Sequence, residues 1–211
     1  MKDDILQGFK HICDITTLQE NLTAIALFIG LYENMIDLLK ERVESFLSDG
    51  AAFDSEGNIR YKHTDTYRKA IKQRIVDEKG NKNELKAVML WFVDVGAISM
   101  QEYEQFLKFK DFRNSYAHNM TQHLWDGLSQ TDVELLISLY NFYTKIDKWW
   151  INEIEMPTSC CETAGKQEIE NVESGSHMIF TMIFQTLYGD KINEYLDIIS
   201  ELQTKLKEER K

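Results

Sequence analysis

Apolar residues recur at spacings of three and four along most of this chain, which is the period of an amphipathic α-helix. The longest such run is LQENLTAIALFIGLYENMIDLLKERVESFL, residues 18–47. We expect this helix to begin at Thr16 or Thr17, because Glu20 follows Thr17 at capping-box distance, and to end near Ser48. Its apolar positions include Leu22, Ile25, Ala26, Ile29, Tyr32, Ile36 and Leu39.

Turn-forming residues interrupt the helical pattern in SDGAAFDSEGNIRYKH, which predicts a loop or a short hairpin around Glu56-Gly57-Asn58. Ser99 and Glu102 stand at capping-box spacing and define the start of a helix that carries the sequence FRNSYAHNM. The remaining helices are predicted at residues 64–77, 84–95 (stopped by Gly96), 132–155 (ended by Pro157) and, as one or two helices, 178–211.

The composition favours one all-α domain over residues 1–211, a helical bundle with a polar loop at about 158–177. Pro157 is the single proline in 211 residues, and proline is strongly disfavoured inside helices. The three cysteines are too few for a disulfide framework and are not spaced as zinc ligands. The sequence GSHM at 175–178 resembles the remnant of a cleaved tag, and the sequence leaves open whether it is native or an engineered junction.

The targeting and charge patterns predict a soluble cytoplasmic protein with no membrane partner. The first residues, MKDDILQGFK, carry acids where a secretory signal has basic residues and an apolar run. The most apolar stretch, from Leu22 to Tyr32, ends at Glu33 and is shorter than the roughly 20 residues that span a bilayer. The formal net charge of -11 argues against non-specific coating of nucleic acid, so an RNA site would have to be local.

Three residues near the end of the predicted helix that begins at Ser99 have the chemistry to cleave a phosphodiester without a metal. Histidine has an unperturbed pKa of about 6.5, so His118 can move a proton near neutral pH. Arg113 stays charged and offers a planar set of donors that matches phosphate oxygens. Asn114 follows the arginine directly and lies four residues before the histidine, on the same helical face.

RNSYAH, residues 113–118, resembles the Arg-polar-x3-5-His motif of the HEPN (higher eukaryotes and prokaryotes nucleotide-binding) family. The resemblance implies an all-helical, dimeric endoribonuclease of a toxin–antitoxin or abortive-infection phage-defence system. It further implies RNA as substrate, no cofactor, products with a 2′,3′-cyclic phosphate, and an antitoxin or phage-derived trigger as partner. Many toxins of the family place a tyrosine two residues after the histidine, where an antitoxin modifies it. Met120 stands here, so control by that modification is doubtful.

Helical geometry adds a condition on the catalytic pair. Residues five apart lie about 140° from each other around a regular helix, so Arg113 and His118 do not share a face. Either the helix unwinds near Ala117 or a second copy of the motif completes the site, and we expect a homodimer with a composite cleft. Between Phe106 and His123 the formal net charge is +2. The candidate RNA-binding residues are Lys108, Lys110, Tyr116 and His123. Tyr116 or Phe112 is suited to stacking on a base, and packing of either ring in the core is the alternative.

A second hypothesis is a helical module that binds a nucleotide, an RNA or a protein without turnover. The acidic composition and the short length of the motif favour it. A metal site is not expected, because His118 and His123 are five residues apart and no HExxH-type carboxylate stands beside them.

Overall fold

The computed structural model describes residues 2–75, 83–158 and 172–188, and most of these are helical. The all-α class predicted from the apolar periodicity is confirmed. The chain divides into two compact units, Met1–Ile146 and Asp147–Lys211, so the single domain predicted over residues 1–211 stays a prediction. The predicted segments at 76–82, 159–171 and 189–211 lie outside the described residues.

The first unit consists of helices and one two-stranded antiparallel hairpin. It also contains a 3-10 turn, Lys72–Arg74. The elements are α1 (Lys2–Cys13), α2 (Ile15–Phe46), β1 (Ser48–Phe53), β2 (Ile59–His63), α3 (Asp65–Ala70), α4 (Glu84–Asp94), α5 (Met100–His118), α6 (Met120–Asp126) and α7 (Gln130–Trp150), of which the last four residues belong to the second unit.

The start predicted for the long apolar helix is wrong. The structure separates α1 from α2 at Asp14, whose carboxylate accepts a hydrogen bond from the Thr17 backbone N–H at 2.7 Å. An aspartate is as good an N-cap as a threonine, and here it satisfies one of the free N–H groups of the first turn. The helix therefore begins at Ile15, and Thr16 and Thr17 lie inside it.

The hairpin predicted around Glu56-Gly57-Asn58 is confirmed. In the turn, the Asp54 carboxylate accepts from the backbone N–H of Glu56 at 3.0 Å and of Asn58 at 2.9 Å. In the ladder, Phe53 pairs with Ile59. The helix predicted at 64–77 is shorter, because α3 ends at Ala70 and a 3-10 turn follows.

Helices α2, α4, α5 and α7 supply the core of the first unit. By length and composition α2 is also able to cross a membrane, but a core helix meets the same test, and the inner face of α2 is buried in this unit. Aromatic rings join α5 to its neighbours: Phe106 stacks on Tyr32 of α2 at 6.0 Å, and Phe109 meets Phe142 of α7 edge-on at 5.6 Å. The fully buried side chains include Ile25, Leu39, Met35, Phe92, Phe109, Leu139 and Tyr143.

Helix α1 packs on α6. Helix α6 directly follows α5, the motif helix, which carries the sequence RNSYAH. The His11 ring hydrogen-bonds through Nδ1 to the Trp125 carbonyl at 2.9 Å, and Phe9 meets the Trp125 ring edge-on. Gly8 allows this close approach, since a Cβ at that position would lie 2.1 Å from the indole. The outer face of α1 leaves Ile5, Leu6 and Phe9 exposed.

In the second unit, the helix predicted to end at Pro157 continues one residue further. A π-helical turn, Ile151–Glu155, leads into α8 (Met156–Thr158), which contains Pro157. The wider turn separates the proline ring from the carbonyl four residues earlier, with which it would clash in a regular α-helix.

The polar loop predicted to reach residue 177 ends earlier, because α9 spans Gly175–Tyr188. The Ser174 hydroxyl accepts a hydrogen bond from the His177 backbone N–H at 3.3 Å and so caps this helix. The His177 ring is fully buried and contacts the Glu173 carboxylate at 3.1 Å. The GSHM sequence therefore forms the packed first turn of a helix.

Candidate functional site

The motif lies in the last turn and a half of α5. A complete capping box fixes the start of this helix, since Ser99 and Glu102 exchange hydrogen bonds as predicted. The helix stays regular through His118, and the backbone N–H of Asn119 donates to the Ser115 carbonyl at 2.8 Å. Asn119 then leaves the helical conformation (φ -122°, ψ 29°). Unwinding near Ala117, one of the two alternatives left open by the sequence, does not occur, because the last turn remains hydrogen-bonded. The break comes one residue after the histidine.

Arg113 pairs with Glu33 of α2, a partner that the sequence did not identify. The Nε and Nη2 groups of Arg113 both donate to the Glu33 Oε1 atom. The Nη1 group donates to the Asn114 side-chain oxygen at 3.1 Å. Asn114 thus contacts the arginine next to it and helps to fix the guanidinium.

His118 differs from Arg113 in its surroundings. It is the last residue of α5, its side chain is exposed, and none of the described residues hydrogen-bonds to its ring. The ring is therefore accessible to solvent and to a bound ligand. A regular helix still separates it from Arg113 by about 140°.

Two further polar contacts join α5 to the segments that follow it. The Ser115 hydroxyl is 2.8 Å from Nε2 of His123, and the His123 ring meets the Tyr116 ring edge-on at 4.8 Å. The Tyr116 hydroxyl donates to Asp132 at 2.6 Å. His123 therefore ties α6 to the motif helix, and its Nε2 atom is already occupied by a hydrogen bond.

Tyr116 requires a correction to its predicted role. Its side chain is 2% exposed and packs edge-on against Phe28 at 5.3 Å, so it is a core residue and its ring faces cannot stack on a base. Burial, together with the hydrogen bond to Asp132, raises its pKa. Burial opposes ionisation of Asp132, but hydrogen bonds from Ser129 and Tyr116 outweigh it and lower the pKa of that carboxyl.

The two candidate RNA-binding lysines occupy different faces of α5. Lys110 is three residues before Arg113 and four before Asn114, so it lies on their face, and it is half-buried. Lys108 is exposed but lies about 140° from Arg113 around the helix. The structure thus groups Lys110, Arg113 and Asn114 and leaves Lys108 to one side.

The local charge is lower than the sequence indicates. Glu33 comes from a helix 80 residues away in sequence and contributes one negative charge beside Arg113, so the net charge of the motif region falls from +2 to +1. The Glu33 carboxylate also affects Tyr32, the residue before it in the chain. Burial and, as the next largest cause, the negative charge of Glu33 raise the pKa of Tyr32 to about 12. Nothing in the local sequence signals this pairing.

Among residues 2–75, 83–158 and 172–188, no group of three or more His, Cys, Asp or Glu side chains is arranged to hold a metal ion. A cavity beside Tyr116 and Asp132, lined also by Phe28 and Leu136, has room for about one water molecule. It is too small for a nucleotide.

We expect Tyr116→Phe to lower the free energy of unfolding by about 1 to 2 kcal/mol, because it removes a hydrogen bond to a charged, half-buried acceptor. Urea unfolding measures the loss. Tyr61→Phe is the matched control: Tyr61 is half-buried on β2, and none of the described residues hydrogen-bonds to its hydroxyl. Equal stability of both variants would contradict a stabilising role for the Tyr116–Asp132 contact.

These contacts define the candidate site as Arg113, paired with Glu33 and hydrogen-bonded to Asn114, with His118 exposed at the end of the same helix. Compared with protein-family models, curated proteins and solved structures, the chain matches none of them.

Proposed function

We propose that this protein is a metal-independent endoribonuclease that cleaves single-stranded RNA at a cleft formed by two copies of the chain. The observation that carries the proposal is the contrast between an oriented Arg113 and an exposed His118 with no described partner, both on the capped helix α5. The resemblance of RNSYAH to the HEPN motif supports the same reading.

The reaction would be a transesterification within the RNA. The 2′-hydroxyl attacks the adjacent phosphorus, a P–O2′ bond forms and the P–O5′ bond breaks, leaving a 2′,3′-cyclic phosphate and a 5′-hydroxyl. One proton leaves the 2′-oxygen and one reaches the 5′-oxygen. A histidine can serve as base or acid for these transfers, and His118 would shuttle the proton. Arg113 would stabilise the charge on the phosphorane oxygens, as a preorganised donor does.

The composite cleft follows from the regularity of α5. Since Arg113 and His118 of one chain point about 140° apart, one phosphate is reached most directly by Arg113 of one copy and His118 of the other. Lys110 shares the face of Arg113 and would contact a neighbouring phosphate. In this proposal the protein acts in the cytoplasm in phage defence or as a toxin, restrained by an antitoxin or triggered by a phage-derived protein.

The deciding experiment is incubation of the purified protein with mixed single-stranded RNA in the presence of EDTA, followed by analysis of the product ends. We expect cleavage that leaves cyclic phosphate ends and is unaffected by the chelator. Inhibition by EDTA would point instead to a metal nuclease.

Light scattering at micromolar concentration should give the mass of a dimer, and a strict monomer would contradict the composite cleft.

One observation favours a second function, a module that binds a nucleotide, an RNA or a protein without turnover. Glu33 neutralises the charge of Arg113, which weakens the attraction of the site for phosphate. Binding of RNA without any cleavage, in the assay above, would support this function over the first.

A further inference from the structure

The guanidinium of Arg113 has only some of its donors engaged by the described residues. Arginine has five N–H donors. Glu33 accepts from Nε and Nη2, and Asn114 accepts from Nη1. This leaves one N–H on each of the two terminal nitrogens, and a pair of donors on neighbouring nitrogens is the arrangement that binds two phosphate oxygens.

We propose that Glu33 is a positioning residue that orients Arg113 so that these two remaining donors meet the phosphate, an inference that rests on the proposed function. Glu33 acts through Arg113 and does not touch the RNA. A flexible arginine would have to lose rotamer freedom when the substrate binds, whereas a guanidinium already fixed at its side edge is preorganised for the transition state.

The backbone of Glu33 is itself held by its two neighbours. Tyr32 is 4% exposed and stacks on Phe106 of α5. On the other side, the Asn34 side chain accepts a hydrogen bond from the Tyr143 hydroxyl of α7 at 3.0 Å. These contacts fix the backbone from which the Glu33 side chain reaches Arg113.

Stability alone does not account for the pair. The side chains of Arg113 and Glu33 are 32% and 41% exposed, and ion pairs with this much solvent access contribute little to folding. The remaining alternative is electrostatic shielding, in which Glu33 competes with phosphate for Arg113. Positioning and shielding have opposite kinetic consequences: loss of positioning lowers kcat, whereas loss of shielding lowers KM and leaves kcat intact.

The test compares Glu33→Ala and Glu33→Gln with Asp37→Ala in the full chain. Asp37 lies one turn further along α2, is exposed, and is ion-paired to none of the described residues, so it controls for the loss of one negative charge. We expect Glu33→Ala to lower kcat about tenfold with little change in KM, as misplacement of a reacting group does. Glu33→Gln keeps an oxygen acceptor and should retain most of kcat, and Asp37→Ala should match the wild type.

A second readout does not depend on cleavage. The Nε–Hε group of Arg113, assigned in nitrogen-15 NMR spectra by its absence in Arg113→Lys, should exchange slowly with water in the wild type and in Asp37→Ala. It should exchange fast in Glu33→Ala. Unchanged exchange in Glu33→Ala, or a lower KM at constant kcat, would overturn the positioning role. A wild-type protein that cleaves no RNA contradicts the proposed function, and the exchange measurement still decides whether Glu33 orients Arg113.

Discussion

Replacing His118 with alanine is expected to lower the rate of RNA cleavage by about 10²- to 10⁴-fold, the usual contribution of a general acid or base. The folded state should be unaffected. His118 is exposed at the end of α5, and none of the described residues hydrogen-bonds to its ring, so the change in unfolding free energy should stay within about 0.5 kcal/mol. Single-turnover cleavage of a defined RNA and circular dichroism measure the two quantities.

His63→Ala is the matched control for this variant. It removes the same side chain from β2, where His63 contacts Glu44 at 2.6 Å, and it should leave cleavage unchanged. Cleavage at the wild-type rate by His118→Ala would remove His118 from the mechanism. His123→Ala would then be the next variant, because the hydroxyl of Ser115 already holds the His123 ring close to the motif helix.

Replacing Phe109 with alanine is expected to cost about 3 to 5 kcal/mol of unfolding free energy, the typical loss for a buried phenylalanine. Phe109 is fully buried on α5 and meets Phe142 edge-on. Domains of this size are stable by only about 5 to 15 kcal/mol, so the variant should unfold at a much lower urea concentration or fail to fold. This result tests the packing of the motif helix whatever the protein does.

Leu107→Ala provides the comparison on the same helix. Leu107 lies two residues away and is 39% exposed, so less apolar surface is lost and no enclosed cavity forms. A small loss of unfolding free energy in Leu107→Ala, together with a large loss in Phe109→Ala, would confirm which face of α5 is buried. Similar losses at the two positions would mean that α5 is rotated relative to the structure described above.

The sequence predicted those parts of the fold that short-range chemistry controls. The capping box of Ser99 and Glu102 was visible because its two partners are three residues apart. Gly96 ends α4 with φ at 76°, a conformation that glycine adopts without strain and other residues rarely do. The hairpin turn was visible because aspartate, glycine and asparagine occur together at 54–58.

At two of the boundaries that were predicted wrongly, several local solutions compete. Asp14 caps α2 although Thr17 followed by Glu20 fits the capping-box pattern, and the sequence alone does not rank these two starts. Pro157 does not end its helix, since the π-helical turn before it relieves the clash that makes proline a terminator.

For the candidate site, the sequence determined the motif itself: Arg113, Asn114 and His118, and their order along one helix. Tertiary structure alone decided which of these side chains is paired and which is exposed. It brought Glu33 to Arg113 from another helix and buried Tyr116 against Phe28. The physical reason is that helical periodicity is set by neighbours in sequence, whereas an ion pair or a buried ring depends on how distant helices pack, which no local pattern encodes.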